Sequence, residues 1–302
     1  MAAGAAQIRI GVSGWRYATW RGGFYPPGLT QAKELAFASR QFPALELNGS
    51  FYSLQRPASY QRWAADTPDG FVFTVKGPRY ITHLLRLRDV EVAMANFFAS
   101  GVLALGAKLG PLLWQLPLNL AFDEPLLDQF LRQLPRDTDA ALALARQRDP
   151  ARMAGREWLG PAQPLRLRHA LEVRHASFCS PETVSLLRHH GVALVVADAP
   201  REWPEVGDVT ADFVYLRLHG AQQLYASGYS DAQLATWAER IRGWAVGAPP
   251  ADMTRLLDEP PPAPAPHNVF CFFDNTDANH APRDALNLVQ MLALDDKLQI
   301  AG

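Results

Sequence analysis

The sequence predicts a (β/α)8 barrel in a single domain, and three observations agree on this fold class. Short strand patterns alternate with helix patterns, which is typical of a parallel sheet. Eight strands can be counted, and eight strands close this kind of barrel. The length of 302 residues fits one such barrel or two average domains. An open, doubly wound sheet is disfavoured because no glycine-rich dinucleotide loop follows the first strand.

The predicted strands are short apolar or alternating segments bounded by turn-forming residues. The sixth has the continuous apolar run that is typical of a strand buried on both faces of a parallel sheet. In chain order the strands are predicted over 8–13, 45–52, 71–76, 112–116, 169–175, 192–198, 213–220 and 269–273.

Capping residues indicate where several helices begin. Asp123 and Ser180 precede helix patterns, Ser230 and Gln233 form a capping box, and Thr30 is expected to cap a helix. Among the predicted helices are those over 30–41, 57–65, 89–105 and 137–148.

Two connections depart from the regular alternation, one before strand seven and one before strand eight. The link over 199–212 is too short for a full helix, and 248–266 is a proline-rich insert that we expect to be an exposed, poorly ordered loop. The whole of 1–302 is otherwise predicted to be one barrel domain.

Composition limits the classes of function. With 29 basic and 30 acidic residues and a net charge of -1, nothing indicates binding to nucleic acid or to an anionic membrane. The most apolar stretch, 92–107, is shorter than the ~20 residues of a membrane span. The N-terminus lacks the basic region of a signal peptide, and Cys179 and Cys271 lack metal-site spacing. We therefore expect a cytoplasmic protein.

Polar residues recur within the strands, at positions that face the barrel axis. Outward-facing side chains must meet the helices and are apolar, so polar ones point inward and, near a strand's carboxyl end, toward the mouth. This reasoning gives three candidate catalytic residues, because carboxylates and imidazoles exchange protons: Glu172, His219 and Asp198. The candidate substrate-binding residues are Lys76, Arg174, Arg217, Asn48, Glu46, Gln115, Asn275, Trp15, Tyr52 and His175.

Other interpretations of these residues remain open. Any one of them alone could form a structural ion pair, and Glu46, near the middle of its strand, is the most open to that interpretation. His175 has the opposite parity to Glu172 and Arg174, so its direction is undetermined. Metal-binding side chains are present, but no short spaced motif links them and three basic residues would repel a cation. No cofactor is predicted, and a divalent metal stays open.

Several motifs resemble those of the YecE-like family (domain of unknown function 72), whose members are TIM-barrel proteins. The matching segments are GVSGW at 11–15, ELNGSFY at 46–52, VKGP at 75–78, ITH at 81–83, QLP at 115–117, EVRH at 172–175, YLRLHG at 215–220 and FDN at 273–275. The resemblance implies the barrel and a polar pocket at its C-terminal face, but it brings no settled activity. It also implies two asparagines where this chain has Asp274 and Asn275.

The sequence therefore favours an enzyme that acts by acid–base chemistry on a small anionic or sugar-like molecule. A metal-independent hydrolase, lyase or isomerase fits the charged groups, since basic residues bind phosphate and carboxylate. The alternatives are a metal-dependent hydrolase or isomerase and a non-catalytic ligand-binding or partner protein. The expected partner is an anionic or polyhydroxylated small molecule; the oligomeric state is not indicated.

Overall fold

Eight parallel strands close into a barrel in the computed structural model, which describes residues 6–200, 203–259 and 266–294. Each strand pairs with the next in the chain, and the eighth pairs with the first. The strands are β1 (Ile8–Ser13), β2 (Ala44–Leu47), β3 (Val72–Lys76), β4 (Leu109–Gln115), β5 (His169–Glu172), β6 (Ala193–Asp198), β7 (Phe213–Leu218) and β8 (Asn268–Phe273). The predicted fold class is confirmed.

Helices connect the strands and cover the outside of the barrel. They are α1 (Glu34–Gln41), α2 (Gly49–Tyr52), α3 (Pro57–Ala65), α4 (Glu91–Ala99), α5 (Glu124–Arg132), α6 (Thr138–Ala145), α7 (Pro150–Met153), α8 (Pro181–His190), α9 (Asp231–Ala245) and α10 (His280–Met291). Short 3-10 turns cover Ala18–Trp20, Gln31–Lys33, Val102–Lys108 and Ala176–Phe178, and a single π-helical turn covers Tyr80–Leu84. None of the described helices is long and apolar enough to cross a membrane.

The barrel axis is a packed interior in which apolar and polar levels are separated. Its lower part is filled by inward-facing residues of the strands: Ala44, Val72, Leu113, Ala170, Ala193, Val195, Phe213, Tyr215, Phe270 and Phe272. The next inward positions along several strands are charged. Burying a charge is costly unless the charge is paired with another group or used by a ligand. The charged layer must therefore be stabilised by pairing or by function.

Strand β2 is shorter than predicted. It ends at Leu47, and Asn48 turns into helical geometry (φ -94°, ψ -17°) and leads into α2. The Ser50 hydroxyl donates a 2.6 Å hydrogen bond to the backbone carbonyl of Lys76, which fixes this turn against β3. The prediction of a strand through Tyr52 is wrong because polar–apolar alternation continues past the residue where the backbone bends.

The prediction of a single helix over 89–105 is also wrong. Helix α4 ends at Ala99, Gly101 adopts a left-handed backbone (φ +103°), and a 3-10 turn follows from Val102 to Lys108. A Cβ atom on Gly101 would lie 2.6 Å from the Cα of Pro57. The apolar pattern resumes at Val102 directly after Ser100 and Gly101, so periodicity alone did not show the break.

Most predicted caps are present. The side chains of Asp123 and Ser180 accept backbone N–H groups, and the capping box of Ser230 and Gln233 is complete. Thr30 makes no side-chain cap, so its expected role is wrong; the chain there first forms a 3-10 turn.

The described part of the proline-rich insert is anchored to the preceding loop. The side chain of Asp208 accepts hydrogen bonds from the backbone N–H groups of Leu256 and Leu257, at 2.7 and 3.3 Å, and Met253 is buried. Most of the described residues of the predicted loop are nevertheless exposed, and residues 260–265 lie outside the described chain.

The Gly101 junction yields a stability prediction. Gly101→Ala should lower the free energy of unfolding by about 3 kcal/mol, because a left-handed penalty of about 1–2 kcal/mol adds to an overpacking cost of similar size. Gly28→Ala is the matched control, since Gly28 also has positive φ (+83°) but open space around the added atom. Urea denaturation of both variants measures the difference, and equal losses would contradict the role of the Pro57 contact.

Candidate functional site

Arg217 of β7 lies at the centre of a buried network of charges near the carboxyl ends of the strands. Its guanidinium bonds to Glu46 through Nε (3.1 Å) and Nη2 (2.8 Å), and to Glu172 through Nη1 (2.7 Å). Nη2 also lies 2.9 Å from Asp274. The Arg217, Glu46 and Glu172 side chains are fully buried, and Asp274 is 14% exposed. One guanidinium thus joins carboxylates from β2, β5 and the end of β8.

Neutral hydroxyls complete the bonding of Glu46. Its Oε1 accepts from Ser13 Oγ at 2.6 Å, and its Oε2 accepts from the Tyr215 hydroxyl at 2.7 Å. The strand register explains this arrangement, because Ser13 pairs with Glu46 and Glu46 pairs with Thr74 on neighbouring strands. The Tyr215 hydroxyl also lies 2.9 Å from Thr74 Oγ1. Glu46 therefore has no free oxygen for a substrate.

Glu172 joins the buried network to the mouth of the barrel. Its second oxygen accepts from Arg174 Nε at 2.8 Å, while the Arg174 guanidinium stacks 3.7 Å from the ring centre of Trp203. Arg174 Nη2 also reaches the hydroxyl of Tyr225 at 3.4 Å. Arg174 keeps 10% of its side chain exposed, so it is the outer member of this chain of contacts.

The carboxylates remain ionised in this setting. Burial by itself would raise the pKa of Glu172, but Arg174 and Arg217 outweigh it and hold that pKa well below its usual range. Burial likewise opposes ionisation of Asp274, and the charge of Arg217 outweighs it and lowers that pKa. Neither group holds a proton to donate at neutral pH, which does not favour the predicted acid–base role of Glu172.

His219 is buried beside the network without a hydrogen bond to the described residues. Its Nδ1 lies 3.1 Å from Asp274 Oδ2, but the contact is not aligned as a hydrogen bond. Burial lowers the pKa of His219 below its ordinary value, although Asp274 opposes this effect, and the charge of Arg217 adds to it, so the ring is mostly neutral at pH 7. The rings of Trp203 and Tyr225 pack edge-on against it, with centroids 4.7 and 5.6 Å away.

Lys76, at the end of β3, differs from the other cations of the site. Within the described chain, no carboxylate lies within 4.0 Å of its Nζ, and no acceptor bonds to it. The ammonium instead lies 4.2 Å from the centre of the Phe51 ring. Burial and then the repulsion of Arg217 lower the pKa of Lys76 to about 8, while Glu172 opposes the shift.

Two neighbours complete this side of the mouth. Gln115, paired with Glu172 in the strand register, is 5% exposed and makes no side-chain hydrogen bond to the described residues. His83 packs edge-on against Phe51, and burial followed by the charge of Lys76 lowers its pKa to about 4. The mouth therefore presents a cation and an amide that have no protein partners there.

Two predicted polar residues lie behind the strands instead of in the network. Asp198 accepts a 3.2 Å hydrogen bond from Trp237 Nε1 of α9, and burial raises its pKa. The Asn275 amide donates to Asp284 Oδ2 at 2.9 Å. Asp198 and Asn275 thus contact the helix shell, and the structure does not bring them to Arg217.

Four more predicted residues also lie away from the network. Asn48 and Trp15 line a cavity of about 250 Å³ beside α3. Tyr52 is 72% exposed on α2. His175 caps the turn at Ala176–Phe178, where its Nδ1 accepts from the backbone N–H of Ser177. The undetermined direction of His175 is thereby explained: it turns toward its own loop.

Sequence reasoning missed Asp274, Ser13, Trp203 and Tyr225. Strand parity could have found Asp274, because Phe270 and Phe272 face the axis and Asp274 is the next residue of that series. Tyr225 adopts a positive φ of +63°, which is uncommon for a non-glycine residue, and no sequence pattern marks it.

The donor set does not favour a metal centre. Among the residues that the structure describes, no group of three His, Cys, Asp or Glu side chains could hold a metal ion. Glu46 and Glu172, the two fully buried carboxylates that Arg217 joins, bind arginine through both oxygens.

The fold and the site define a class of protein, a (β/α)8 barrel with a buried network of charges at the carboxyl ends of its strands. The chain belongs to the family described as "Protein of unknown function DUF72", whose model matches residues 9–301. This confirms the resemblance found in the sequence motifs.

Named relatives and solved structures agree with the family. The chain is 32% identical to the UPF0759 protein YecE of Escherichia coli (strain K12) over 42% of its own length and 44% of the relative's. It is 36% identical to the UPF0759 protein YunF of Bacillus subtilis over 25% of the chain and 26% of that protein. The matched segments thus span less than half of either relative.

Crystal structures of DUF72 family proteins share the fold. One from Thermotoga maritima has a TM-score of 0.70 and 24% identity, covering 95% of this chain and 99% of that one. One from Enterococcus faecalis has a TM-score of 0.69 and 15% identity, covering 95% and 96%.

Removing Arg217 should strongly destabilise the protein. Arg217→Met should cost about 3–5 kcal/mol at pH 7, because buried carboxylates lose their counter-charge. The matched control is Arg166→Met, since Arg166 is 68% exposed in its pair with Asp212 and should cost at most about 1 kcal/mol. Chemical denaturation measures both losses.

The stability that is lost in Arg217→Met should also depend on pH. In the native protein the folded-state pKa of Asp274 is lowered, so its stabilisation is complete above the unfolded pKa of about 4 and is lost as pH falls through the folded value. Without Arg217, burial raises that pKa and penalises the ionised form at neutral pH. The difference in stability between the two proteins should therefore narrow below about pH 4, and a pH-independent difference would contradict this electrostatic account.

Proposed function

We propose that this protein is an enzyme that binds a small anionic or polyhydroxylated molecule at the C-terminal face of the barrel and acts on it by acid–base chemistry. The observation that carries the proposal is the ammonium of Lys76, which has no carboxylate within 4.0 Å in the described chain, whereas Arg174 and Arg217 are both paired. A buried charge that lacks a protein partner is stabilised by a ligand of opposite charge.

Three groups would hold the ligand. Lys76 supplies a charge-assisted hydrogen bond to a carboxylate or phosphate oxygen. Arg174 lies at the same mouth, and its Nη1 makes no contact with an acceptor among the described residues. Gln115 can donate to or accept from a hydroxyl, because an amide has both capacities. This combination suits a molecule that carries an anionic group beside hydroxyls.

His219 is the proposed proton acceptor. Its neutral ring has two nitrogens without hydrogen-bond partners among the described residues, and a neutral imidazole is the form that accepts a proton. Asp274, 3.1 Å away, would stabilise the imidazolium that forms. Because Trp203 and Tyr225 cover the ring, the proposal requires these two side chains to move when the ligand binds.

The non-catalytic alternative has an observation of its own in its favour. Glu46 and Glu172 are both fully engaged with arginine, which is the arrangement of a binding scaffold as well as of an active site. Ligand binding without any chemical change would favour this alternative over the enzyme.

Lys76 should be essential for binding a hydroxy acid. Lactate carries a carboxylate beside a hydroxyl, and isothermal titration calorimetry measures its binding to the whole chain. Lys76→Met should weaken binding by about tenfold or more, since a hydrogen bond to a charged group contributes about 1.5–3 kcal/mol. Lys33→Met is the control, because Lys33 is exposed in the Gln31–Lys33 turn and should leave binding unchanged. Equal binding by the Lys76 variant would remove the proposal's main support.

Proton abstraction should be visible as deuterium exchange. In D2O, proton NMR follows loss of the C–H signal next to the carboxyl or carbonyl group across a panel of hydroxy acids and sugar acids. His219→Gln should abolish exchange while lactate binding persists, because its role is proton transfer and not charge pairing. If no compound exchanges with the native protein although lactate binds, the protein is a binder and not the proposed enzyme.

A further inference from the structure

Lys76 is the one lysine described in the structure whose amine is both sheltered from water and unoccupied. The chain has 29 basic residues, of which only Lys33, Lys76, Lys108 and Lys297 are lysines. Lys33 is exposed. Lys108 donates to the carbonyls of Ala64 and Thr67, both at 2.6 Å. Lys297 lies outside the described residues.

Burial and charge raise the neutral fraction of the Lys76 amine above that of an ordinary lysine. The residue is 7% exposed and is repelled by the guanidinium of Arg217, and both effects lower its pKa, whereas the ring of Phe51 at 4.2 Å is a contact that suits the charged form. The acids Glu172, Asp274 and Glu46 oppose the lowering of the pKa from a longer range. With a pKa of about 8, about a tenth of the amine is neutral at pH 7, against fewer than about one in a thousand for an ordinary lysine.

We propose that the amine of Lys76 is a nucleophile that forms an imine with the carbonyl group of a small α-keto acid. The geometry carries this assignment: the amine ends β3 at the C-terminal mouth, has no acceptor in the described chain, and shares the mouth with the partly exposed guanidinium of Arg174. A lysine that is desolvated and next to another cation is the activated form used for this chemistry. The inference rests on the proposed function for the existence of the anion-binding mouth.

The step balances without a further reactant. The nitrogen lone pair attacks the carbonyl carbon, a C–N bond forms, and the carbonyl oxygen becomes a hydroxyl. The C–O bond then breaks, and the oxygen leaves as water with the two hydrogens that the neutral amine carried. The imine nitrogen takes one proton from solvent and becomes an iminium, which restores the positive charge that Glu172 and Asp274 favour from longer range. No oxidant or reductant is needed.

The carboxylate of the keto acid would be held by the second cation of the mouth. Arg174 already binds Glu172 through Nε and Nη2, so its Nη1 remains for the ligand. A planar guanidinium suits a carboxylate. An uncharged ketone would lack this contact and should react more weakly.

Reductive trapping tests the proposal. The full chain is incubated with pyruvate and sodium cyanoborohydride, and intact-mass spectrometry with peptide mapping locates the reduced adduct. Lys76 should carry at least ten times more adduct than Lys33 or Lys108, and acetone in place of pyruvate should give less. Lys76→Arg, which keeps a positive charge but has no amine, should give no adduct, while Lys33→Arg and Lys108→Arg should keep it.

Lactate binding separates this inference from the proposed function. Lactate has the carboxylate of pyruvate but no carbonyl, so it reports the anion site alone. Lactate binding to the native protein with no adduct at Lys76 would overturn the imine and leave the proposed function intact. Absence of both would overturn the proposed function and the inference with it. Adduct spread evenly over the lysines would also overturn the inference, because it would show ordinary surface reactivity.

Discussion

The burial of Arg217 among three carboxylates is the interaction on which the rest of the site depends. Removing charges from water costs several kcal/mol for each ion, and only a complete set of well-placed partners offsets that cost. Here the partners come from β2, β5 and the segment after β8, with Ser13 of β1 and Tyr215 of β7 filling the remaining bonds of Glu46. Closing the barrel and neutralising the network are therefore one event, since the partners meet only when the strands are in register.

The balance of charges in the network decides which charged group lacks a protein partner. Arg217 alone does not neutralise Glu46, Glu172 and Asp274, and the cations of Arg174 and Lys76 bring the two signs to equal number. Arg174 contacts a carboxylate directly, whereas the ammonium of Lys76 lies more than 4.0 Å from every carboxylate in the described chain. An anionic ligand of the kind proposed above would therefore compete only with distant charges for the ammonium of Lys76.

The succession of eight strand patterns with helices between them was enough to predict the fold, and residue alternation along the strands was enough to predict the inner members of the charge network. Glu46, Glu172, Arg217 and His219 lie where the period of two places them, because strand geometry fixes the direction of a side chain. Residue alternation no longer predicted side-chain directions immediately after the strands ended. Asn48 bends into a helix at the end of β2, and the selection of Asn275 overlooked the inward parity of Asp274. The positions of the Trp203 and Tyr225 rings over His219 could not be predicted, because both residues lie in loops, where no sequence periodicity fixes the direction of a side chain.

Because Glu172 and Asp274 stay ionised, the groups of the network that remain for proton transfer or nucleophilic attack are nitrogen groups. A general acid needs a pKa near the working pH, and the arginines hold the pKa values of Glu172 and Asp274 far below it. Within the described network, the nitrogen groups that remain are Lys76, whose pKa is lowered to about 8, and His219, whose pKa is lowered from its ordinary value by burial. The rings of Trp203 and Tyr225 cover His219, which is fully buried, whereas Lys76 keeps 7% of its surface exposed at the end of β3. In the proposed reaction, nucleophilic attack by Lys76 would therefore precede proton transfer at His219, because the imidazole would become available only after the aromatic cover moves.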